Sequence, residues 1–454
     1  MRELLPNSIQ LLAKSFPKPL YAVGGSVRDY LANLTPTIHD WDLASPLSAD
    51  EFSEIAKAHG FTIQAVYRNT GTVKFSNAEG EYEYASFRSD LYVRGTHVPV
   101  EIFFTEDIHL DAKRRDFTAN AVYYDIAKDE FVDPLQGVPA IYEKRLTTVD
   151  NANKVFGEDG LRLLRLARQS AQLGFQPDDA CLKGAKENAP LIKDISPERI
   201  LEELLTILSA DQKCGITGAP YQGIRLLSQI GVLDYILPEL TLGRNMEQRA
   251  DFHKYDVLEH SFRALLYVEP LTADPYLRFA TLLHDVGKPY CIQESGNAHA
   301  HHTEGARIAK EILTRLKAPK KVCERIPALI EWHMYDLDCK VGENKLRRFF
   351  VTHSTLLEDL FILKQADFSA CMDNLAPAPT KVRWEKLLEK MQAEKVPFSL
   401  KELAVNGRDL LNLGIPPVKL SALLEKLLLH TACNPSENRK DRLLRLAVGF
   451  LNSL

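Results

Sequence analysis

The feature that most constrains the fold is a change of pattern near residue 150. Segments typical of strands, among them PLYAVGG, VKFS, YEYASF and VPVEIFF, all lie before Val149. Beyond Val149 nearly every segment has helical periodicity, and short loops join the segments. GEDGLRLLRLARQSAQLGF predicts one helix that ends at Gly174, and SPERILEELLTILSA predicts a helix with Ser196 as its N-cap. The chain therefore predicts an α+β head followed by an all-α body.

Length and chain breaks divide the sequence further. The 454 residues give room for about three domains, and NLAPAPTKV is a proline-rich break. We predict a head at 1–150, a helical neck at 151–243, a third domain at 244–375 and a helical tail at 376–454.

The seven cysteines lack any C-x-x-C, the start lacks a signal-peptide core, and there is no 18-residue apolar run. These features favour a cytoplasmic protein with no disulfide framework and no membrane partner.

The tail is more basic than the rest of the chain. From Ala376 to Leu454 there are 13 Lys and Arg against 8 Asp and Glu, a net charge of +5, whereas the whole chain has −5. A basic surface on an acidic protein can contact the phosphates of RNA. A solvated helical surface explains the same charge.

A glycine turn near the start predicts an anion site. In LYAVGGSVRDYL a strand leads through Gly24 and Gly25 into a helix. Glycines allow backbone N–H groups to approach an anion closely, and a helix N-terminus favours negative charge. Arg28 can add a guanidinium that pairs with phosphate. The alternative is a tight strand–helix turn with a surface arginine.

Two carboxylates follow this turn in IHDWDLAS. On a strand, Asp40 and Asp42 face one side and Trp41 faces the other. That arrangement suits Mg²⁺, which takes one or two protein carboxylates and leaves coordination positions for substrate phosphates. Two such ions can activate a hydroxyl and stabilise a leaving pyrophosphate. The motif alone proves little, because the chain has a second Asp-x-Asp at Asp336–Asp338.

GGSVRD followed by IHDWDLAS resembles the signature of the class II nucleotidyltransferases of the polymerase-β superfamily. YEYASFRSD, RRDFTANAVYYD, VDPLQG and EDGLRLLRLAR follow in the order found in the tRNA nucleotidyltransferase and bacterial poly(A) polymerase family. The resemblance spans about residues 20–175. It implies a polymerase-β-like head that uses CTP and ATP with the 3′ end of tRNA. It also implies that Glu83 is a third catalytic acid, that Arg114 and Arg115 bind the triphosphate, and that Asp116 lies near the ribose.

The EDGLRLLRLAR segment is a candidate for base selection. A carboxylate only accepts hydrogen bonds and a guanidinium only donates them. Asp159 and Arg162 together complement the amino group and ring nitrogen that cytosine and adenine share, and uracil and guanine would leave both side chains unpaired. On a continuous helix Glu158 faces the same side, and Arg165 and Arg168 continue the arginine series as orienting or phosphate-binding groups. A surface Glu–Arg pair with no further role is the alternative.

Histidines concentrate in the third domain. His260, His284 with Asp285, His301, His333 and Asp367 fall on successive predicted helices and resemble the HD-domain metal-dependent phosphohydrolases. Such ligands suit Mn²⁺, Ni²⁺, Fe²⁺ or Zn²⁺ better than Mg²⁺. The resemblance implies removal of 2′,3′-cyclic phosphate or phosphate from tRNA ends. A site that retains the fold without activity is the alternative.

Several activities remain open at this level. Within the family the head adds all of CCA, only CC or only A, or makes poly(A) tails. Asp90 and Arg94 in SFRSDLYVRGTH favour full CCA addition through the flexible loop of the family. The tail departs from the family pattern at Pro416-Pro417 and Leu420-Ser421. Two competing hypotheses are an HD phosphohydrolase with an inert head, and a non-catalytic tRNA-binding protein, which would not need paired aspartates.

Overall fold

The computed structural model describes residues 1–34, 41–93 and 99–451. These form two compact units, Met1–Thr241 with Thr314–Ala318, and Leu242–Leu313 with Pro319–Leu454. Asp40 and Arg94 lie outside the described residues. All but one very short strand end before Val149, which confirms the predicted α+β class. Among the described residues, no helix has the length and apolar character needed to cross a membrane.

A mixed sheet forms the head. Its strands are β1 (Tyr21–Val23), β2 (Trp41–Ser45), β3 (Thr62–Tyr67), β4 (Thr72–Asn77), β5 (Gly80–Ser86), β8 (Tyr123–Asp125) and β9 (Glu130–Val132), and β6 (Arg88–Leu91) with β7 (Glu101–Phe104) forms a separate hairpin. The order is β3-β4-β5-β2-β1-β8-β9. Strands β2 and β5 run parallel, and β1 is antiparallel to both β2 and β8. The sheet thus places the end of β1 beside the start of β2.

Helices cover the head sheet and build the neck. The head contains α1 (Asn7–Ser15), α2 (Gly25–Leu31), α3 (Ala49–Ala58), α4 (Ile108–Lys113) and α5 (Gly137–Tyr142). The neck contains α6 (Ala152–Glu158), α7 (Leu161–Leu173), α8 (Asp179–Asn188), α9 (Pro197–Leu208), α10 (Asp211–Cys214), α11 (Ala219–Gln229), α12 (Leu233–Ile236) and α13 (Pro238–Thr241). A two-residue parallel pair, β10 (Arg145–Leu146) with β11 (Gln176–Pro177), is an exception to the all-helical expectation.

Close packing holds the neck helices together. Helices α7, α9 and α11 contact one another around the fully buried Leu164, Leu204 and Leu227. A Cβ at Gly223 of α11 would lie 2.5 Å from a methyl carbon of Ile207, so the helices approach there at the distance only glycine allows. The core therefore fixes the face of α7 that carries the arginines.

The second unit is helical throughout its described residues. Its helices are α14 (Val257–Val268), α15 (Pro275–Leu283), α16 (Lys288–Ser295), α17 (His301–Arg315, whose last two residues belong to the first unit), α18 (Lys320–Trp332), α19 (Glu343–Thr352), α20 (Leu357–Met372), α21 (Pro379–Ala393), α22 (Gly407–Leu411), α23 (Leu420–Cys433) and α24 (Lys440–Leu451). Helices α14, α15 and α20 pack together. Of the predicted HD residues, His260 lies on α14 and Asp367 on α20, His284 and Asp285 follow the end of α15, His301 begins α17 and His333 follows α18. All seven cysteines of the chain are free thiols.

The second Asp-x-Asp motif has a structural role. Asp336 is buried, adopts a positive φ of 61°, and accepts hydrogen bonds from Arg383 at 2.6 Å and from the indole of Trp384 at 3.0 Å. Asp338 is exposed and pairs with Lys340. The two carboxylates therefore point to different partners, and Asp336 anchors α21.

Candidate active sites

The glycine turn brings a carboxylate close to the start of α2. Gly24 has a φ of +84°, which a residue with a side chain rarely adopts. A Cβ at Gly24 would lie 3.1 Å from Oδ2 of Asp42, so the glycine also permits this close approach. Trp41 is buried and Asp42 is exposed, as expected from their alternation on β2.

A second carboxylate stands beside Asp42 on the next strand. In the parallel pairing of β2 with β5, Asp42 is the register partner of Glu83, so both side chains face the same side of the sheet. Glu83 is about half exposed and lies 3.9 Å from the ammonium of Lys74. The sheet therefore provides an acidic pair of the kind that holds Mg²⁺. The predicted Asp40 lies outside the described residues.

Asp111, which sequence reasoning missed, fixes both arginines of the RRD segment. Its fully buried carboxylate accepts from Arg114 at 2.7 Å, from Arg115 at 3.2 Å and from the hydroxyl of Tyr123 at 2.6 Å. Burial raises the pKa of Asp111, but the two guanidinium groups outweigh it and hold the pKa at about 2. The spacing of three and four residues from Asp111 to the two arginines, across the end of α4, was the available signal.

Asp116 organises the floor of the same region. Its carboxylate accepts from Arg165 at 2.6 Å, from Asn120 at 2.7 Å and from Gln169 at 3.2 Å. Burial raises the pKa of Asp116, yet Arg165 and the hydrogen bond from Asn120 hold it well below its ordinary range. Arg28 is also buried, and it donates to Asn120 at 2.6 Å. The guanidinium of Arg28 is thus held among protein groups beside the glycine turn.

The helix predicted to run through Glu158 and Arg162 is in fact two helices. Helix α6 ends at Glu158, Asp159 has extended backbone angles, and α7 begins at Leu161. The prediction of one helix was wrong because Asp159 leaves the helical conformation and its carboxylate caps the start of α7. Gly160, beside it, packs closely against a distant segment: a Cβ there would lie 2.7 Å from the carbonyl oxygen of Leu191. The predicted end of α7 at Gly174, with its left-handed φ of 67°, is confirmed.

Arg162 is nonetheless held firmly. Its Nη1 donates to Glu158 at 2.9 Å and to the carbonyl of Val155 at 2.9 Å, and its Nη2 donates to the carbonyl of Arg114 at 2.8 Å. The guanidinium also lies 5.6 Å from the ring centroid of Tyr92. Asp159 caps α7 by accepting from the backbone of Leu161. Glu158 therefore positions Arg162 across the break between the helices.

One cavity of about 450 Å³ collects most of these groups. Of the predicted residues it is lined by Gly24, Gly25, Arg28, Asp42, Arg114, Arg115, Asp116, Asp159, Arg162, Arg165 and Arg168. Glu83 and Glu158 do not line it. Residues that the sequence did not single out complete the lining: Asn120, Leu161, Gln169, Arg199 and Lys213. The cavity is strongly cationic, as a triphosphate site requires.

The second unit gathers the predicted histidines into a buried cluster. Its members form two groups, His260 with His284 and Asp367, and Asp285 with His301 and His333, whose ligand atoms lie within 4.8 Å of one another in each group. Oδ2 of Asp285 lies 3.3 Å from Nε2 of His284, and Oδ1 lies 3.2 Å from Nε2 of His301. Asp285 therefore connects the two groups.

The tautomers of three of these histidines are fixed by the backbone. Nδ1 of His284, His301 and His333 lies 2.7, 2.6 and 2.6 Å from the carbonyls of Thr281, Ala298 and Ile330. Because a carbonyl only accepts, each Nδ1 carries a hydrogen, and Nε2 is the ring atom left facing the cluster, where it can bind a metal ion once it is deprotonated. This is the usual orientation of imidazoles that bind a metal ion.

The electrostatics of this cluster favour a cation. Burial lowers the pKa of His284, but Asp285 and Asp367 outweigh it and raise the pKa to about 10. Lys288 lies 2.6 Å from Asp285, and His253 with Cys371 lies next to His260. Lys288, His253 and Cys371 were not predicted from the sequence, although Lys288 falls within one turn of Asp285.

Comparisons with known proteins identify the domains in which these two groups of residues lie. The model of the poly A polymerase head domain matches residues 20–147, that of the probable RNA and SrmB-binding site of polymerase A matches 174–242, and that of the HD domain matches 257–367. An A-adding tRNA nucleotidyltransferase of Deinococcus radiodurans is 30% identical over 448 residues, covering 93% of this chain and 95% of the relative.

The chain belongs to the tRNA nucleotidyltransferase family. It is a nucleotidyltransferase, as its motifs predict. Another family member, the CC-adding tRNA nucleotidyltransferase of Thermus thermophilus, is 31% identical over 364 residues, covering 77% of this chain and 76% of the relative. The fold matches that of the Bacillus stearothermophilus CCA-adding enzyme, solved in complex with CTP, with a TM-score of 0.71, 24% identity and 99% coverage of both chains.

Proposed function

We propose that this enzyme adds CMP and AMP to the 3′ end of tRNA and completes the CCA terminus from CTP and ATP. The observation that carries the proposal is the single cavity that joins the glycine turn and Asp42 to Asp159 and Arg162. A nucleotide in that cavity would place its phosphates against the turn and its base against the Asp–Arg pair.

The contacts of Arg162 support its role in base selection. A guanidinium has five N–H donors, and three hydrogen bonds from Arg162 go to protein oxygens. Two donors remain for the ring nitrogen of cytosine or adenine, and Asp159 supplies an acceptor for the exocyclic amino group. Uracil and guanine present a carbonyl and a ring N–H in these places, which leaves buried polar groups unpaired.

The acidic pair of β2 and β5 fits a divalent metal. Asp42 and Glu83, with Asp40, would hold Mg²⁺, which supplies activation of the 3′ hydroxyl and charge neutralisation of the leaving pyrophosphate. The chain itself contributes positioning: Asp111 fixes Arg114 and Arg115, which with the other cationic groups of the cavity would bind the triphosphate.

Incorporation of labelled nucleotides tests this proposal. We expect Asp42→Asn and Glu83→Gln to lower addition of CMP and AMP at least a hundredfold, because each removes a metal ligand. Glu81→Gln is the matched control, since Glu81 lies on the same strand and pairs with Ser76 instead of Asp42. Near-normal incorporation by both variants of the acidic pair would refute the role of this site.

The number of nucleotides added is a separate question. The two curated relatives add only A or only CC, so a partial activity is the alternative to full CCA addition. Asp90, which favours full addition, is buried and paired with Arg88 at 2.9 Å, whereas Arg94 is outside the described residues. Incubation with tRNAs lacking CCA, CA or only A, followed by sequencing of the products, decides between them. Extension by A alone or by CC alone would overturn the full CCA assignment.

We propose a second activity, hydrolysis of 2′,3′-cyclic phosphate or terminal phosphate on tRNA ends, at the HD cluster. Two groups of ligands joined by Asp285, with three imidazoles oriented by backbone carbonyls, support binding of transition-metal ions such as Ni²⁺ or Mn²⁺. We expect the double variant His284→Ala with Asp285→Ala to lose the bound metal and the hydrolysis. His299→Ala is the control, because His299 is exposed and outside the cluster. Metal binding without hydrolysis would favour a structural role.

A further inference from the structure

One cation of the nucleotide cavity differs from all the others. Eight cationic side chains line the cavity. Seven of them pair with a carboxylate of the protein: Arg28 and Lys213 with Asp29, Arg114 and Arg115 with Asp111, Arg162 with Glu158, Arg165 with Asp116, and Arg168 with Glu203. Arg199 makes no ion pair or side-chain hydrogen bond with any residue that the structure describes. Its charge is therefore not compensated by the neighbouring carboxylates.

The position of Arg199 is set by α9. Arg199 lies in the first turn of this helix and is exposed toward the cavity. Its neighbour Glu198 is engaged elsewhere, by Lys317 at 2.6 Å. One turn further along α9, Glu203 holds Arg168 of α7 at 2.7 Å. Arg199 therefore belongs to the part of the cavity near Arg168.

That part is distant from the base-selecting pair and close to the glycine turn. Arg162 and Arg168 are six residues apart on α7, which corresponds to about 9 Å along the helix axis. Next to Arg168, Gln169 contacts Arg28 of α2 at 3.4 Å, and α2 follows the glycine turn directly. A nucleotide bound through its base near Arg162 would thus extend its phosphates toward Arg168 and Arg199.

We propose that Arg199 binds the outer phosphates of the incoming nucleoside triphosphate and the pyrophosphate that leaves. The inference rests on the proposed nucleotidyl transfer. A guanidinium with no protein carboxylate can form charge-assisted hydrogen bonds to phosphate without first giving up an ion pair. The seven paired cations can also contact phosphate, but each shares its charge with a protein carboxylate. A phosphate of the RNA backbone is the other possible source of the same chemistry, and the model of the probable RNA-binding site spans Arg199.

Steady-state kinetics with Arg199→Gln separates these sources. We expect the KM for CTP and ATP to rise about tenfold, because one charge-assisted hydrogen bond to phosphate is lost. The KM for pyrophosphate in the reverse reaction should rise by about the same factor. The KM for tRNA and the preference for C and A over U and G should not change. Arg199→Lys should recover part of the affinity, because it retains the charge without the planar fork. Arg225→Gln is the control for the nucleotide kinetics, since Arg225 is an exposed neck arginine outside the cavity that contacts Tyr221.

Equilibrium binding keeps the test independent of turnover. Arg199→Gln should weaken CTP about tenfold and leave CMP unchanged, because CMP lacks the outer phosphates. A raised KM for tRNA with unchanged CTP affinity would assign Arg199 to the RNA and overturn the proposal, and so would equal weakening of CTP and CMP. If the wild-type enzyme extends no tRNA, the proposed function fails, and the comparison of CTP with CMP still decides the role of Arg199.

Discussion

Replacement of Asp111 by asparagine tests how the arginine pair of the RRD segment is held. The substitution keeps the size of the side chain and removes its charge, so it approximates the protonated acid at every pH. Arg114 and Arg115 would then lose their shared carboxylate. Both guanidinium groups line the nucleotide cavity, so the same change tests stability and catalysis.

The magnitude follows from the pKa of Asp111. The folded protein lowers this pKa from 3.8 to about 2. At about 1.4 kcal/mol per pKa unit, the ionised carboxylate contributes about 2 kcal/mol to the free energy of unfolding at pH 7. For a unit of this size that loss lowers the Tm by roughly 4–8 °C.

The pH dependence has a definite sign. A carboxylate with a lowered pKa stabilises the folded state above its unfolded pKa of about 3.9, and this stability is lost as the pH falls. The difference between the wild type and Asp111→Asn should therefore be constant from pH 7 to about pH 5 and shrink between about pH 4 and pH 2.

Urea unfolding of both proteins across this pH range is the assay. Asp50→Asn serves as the control, because its pair with Arg68 is exposed to solvent and the substitution should leave the free energy of unfolding almost unchanged. Equal stability of wild type and Asp111→Asn at pH 7, or a difference that does not narrow below about pH 4, would refute the reasoning. A fall in kcat/KM for CTP and ATP should accompany the loss of stability, since the arginines are no longer fixed.

Three further substitutions test the junction of α6 with α7 and the second unit. Glu158→Gln should lower the ratio of kcat/KM for CTP and ATP to kcat/KM for UTP and GTP about tenfold, because Arg162 loses the carboxylate that orients it. An unchanged ratio would show that Glu158 does not position Arg162. Gly160→Ala should lower the free energy of unfolding by about 1–3 kcal/mol, because the added Cβ would clash with the backbone carbonyl of Leu191. An unchanged Tm in thermal melts would contradict this close contact. Asp336→Asn should destabilise the second unit by about 3 kcal/mol, because Arg383 and the indole of Trp384 lose a buried carboxylate. Unfolding followed by tryptophan fluorescence measures this loss, and an unchanged unfolding curve would contradict the prediction.

Most of the local structure could be predicted from the sequence. The glycine turn, the alternation of Trp41 with Asp42 and the helix that ends at Gly174 are confirmed, because each depends on backbone preferences within a few residues. The break at Asp159 was missed, and so was the close packing of the adjacent Gly160 against the carbonyl of Leu191, thirty-one residues away. Local helical periodicity contains no signal for such a contact.

Residue types and their spacing, by themselves, predicted the chemistry: carboxylates and glycines indicated a nucleoside triphosphate site, and histidines with aspartates indicated a metal site. Only the tertiary structure decided which charges remain available to a ligand. Asp116 neutralises Arg165 from 49 residues away, and Glu203 neutralises Arg168 from 35 residues away. Nothing in the sequence distinguishes Arg199 from Arg165 or Arg168. Its charge stands out only because folding supplies every other cation of the cavity with a carboxylate and supplies none to Arg199 among the described residues.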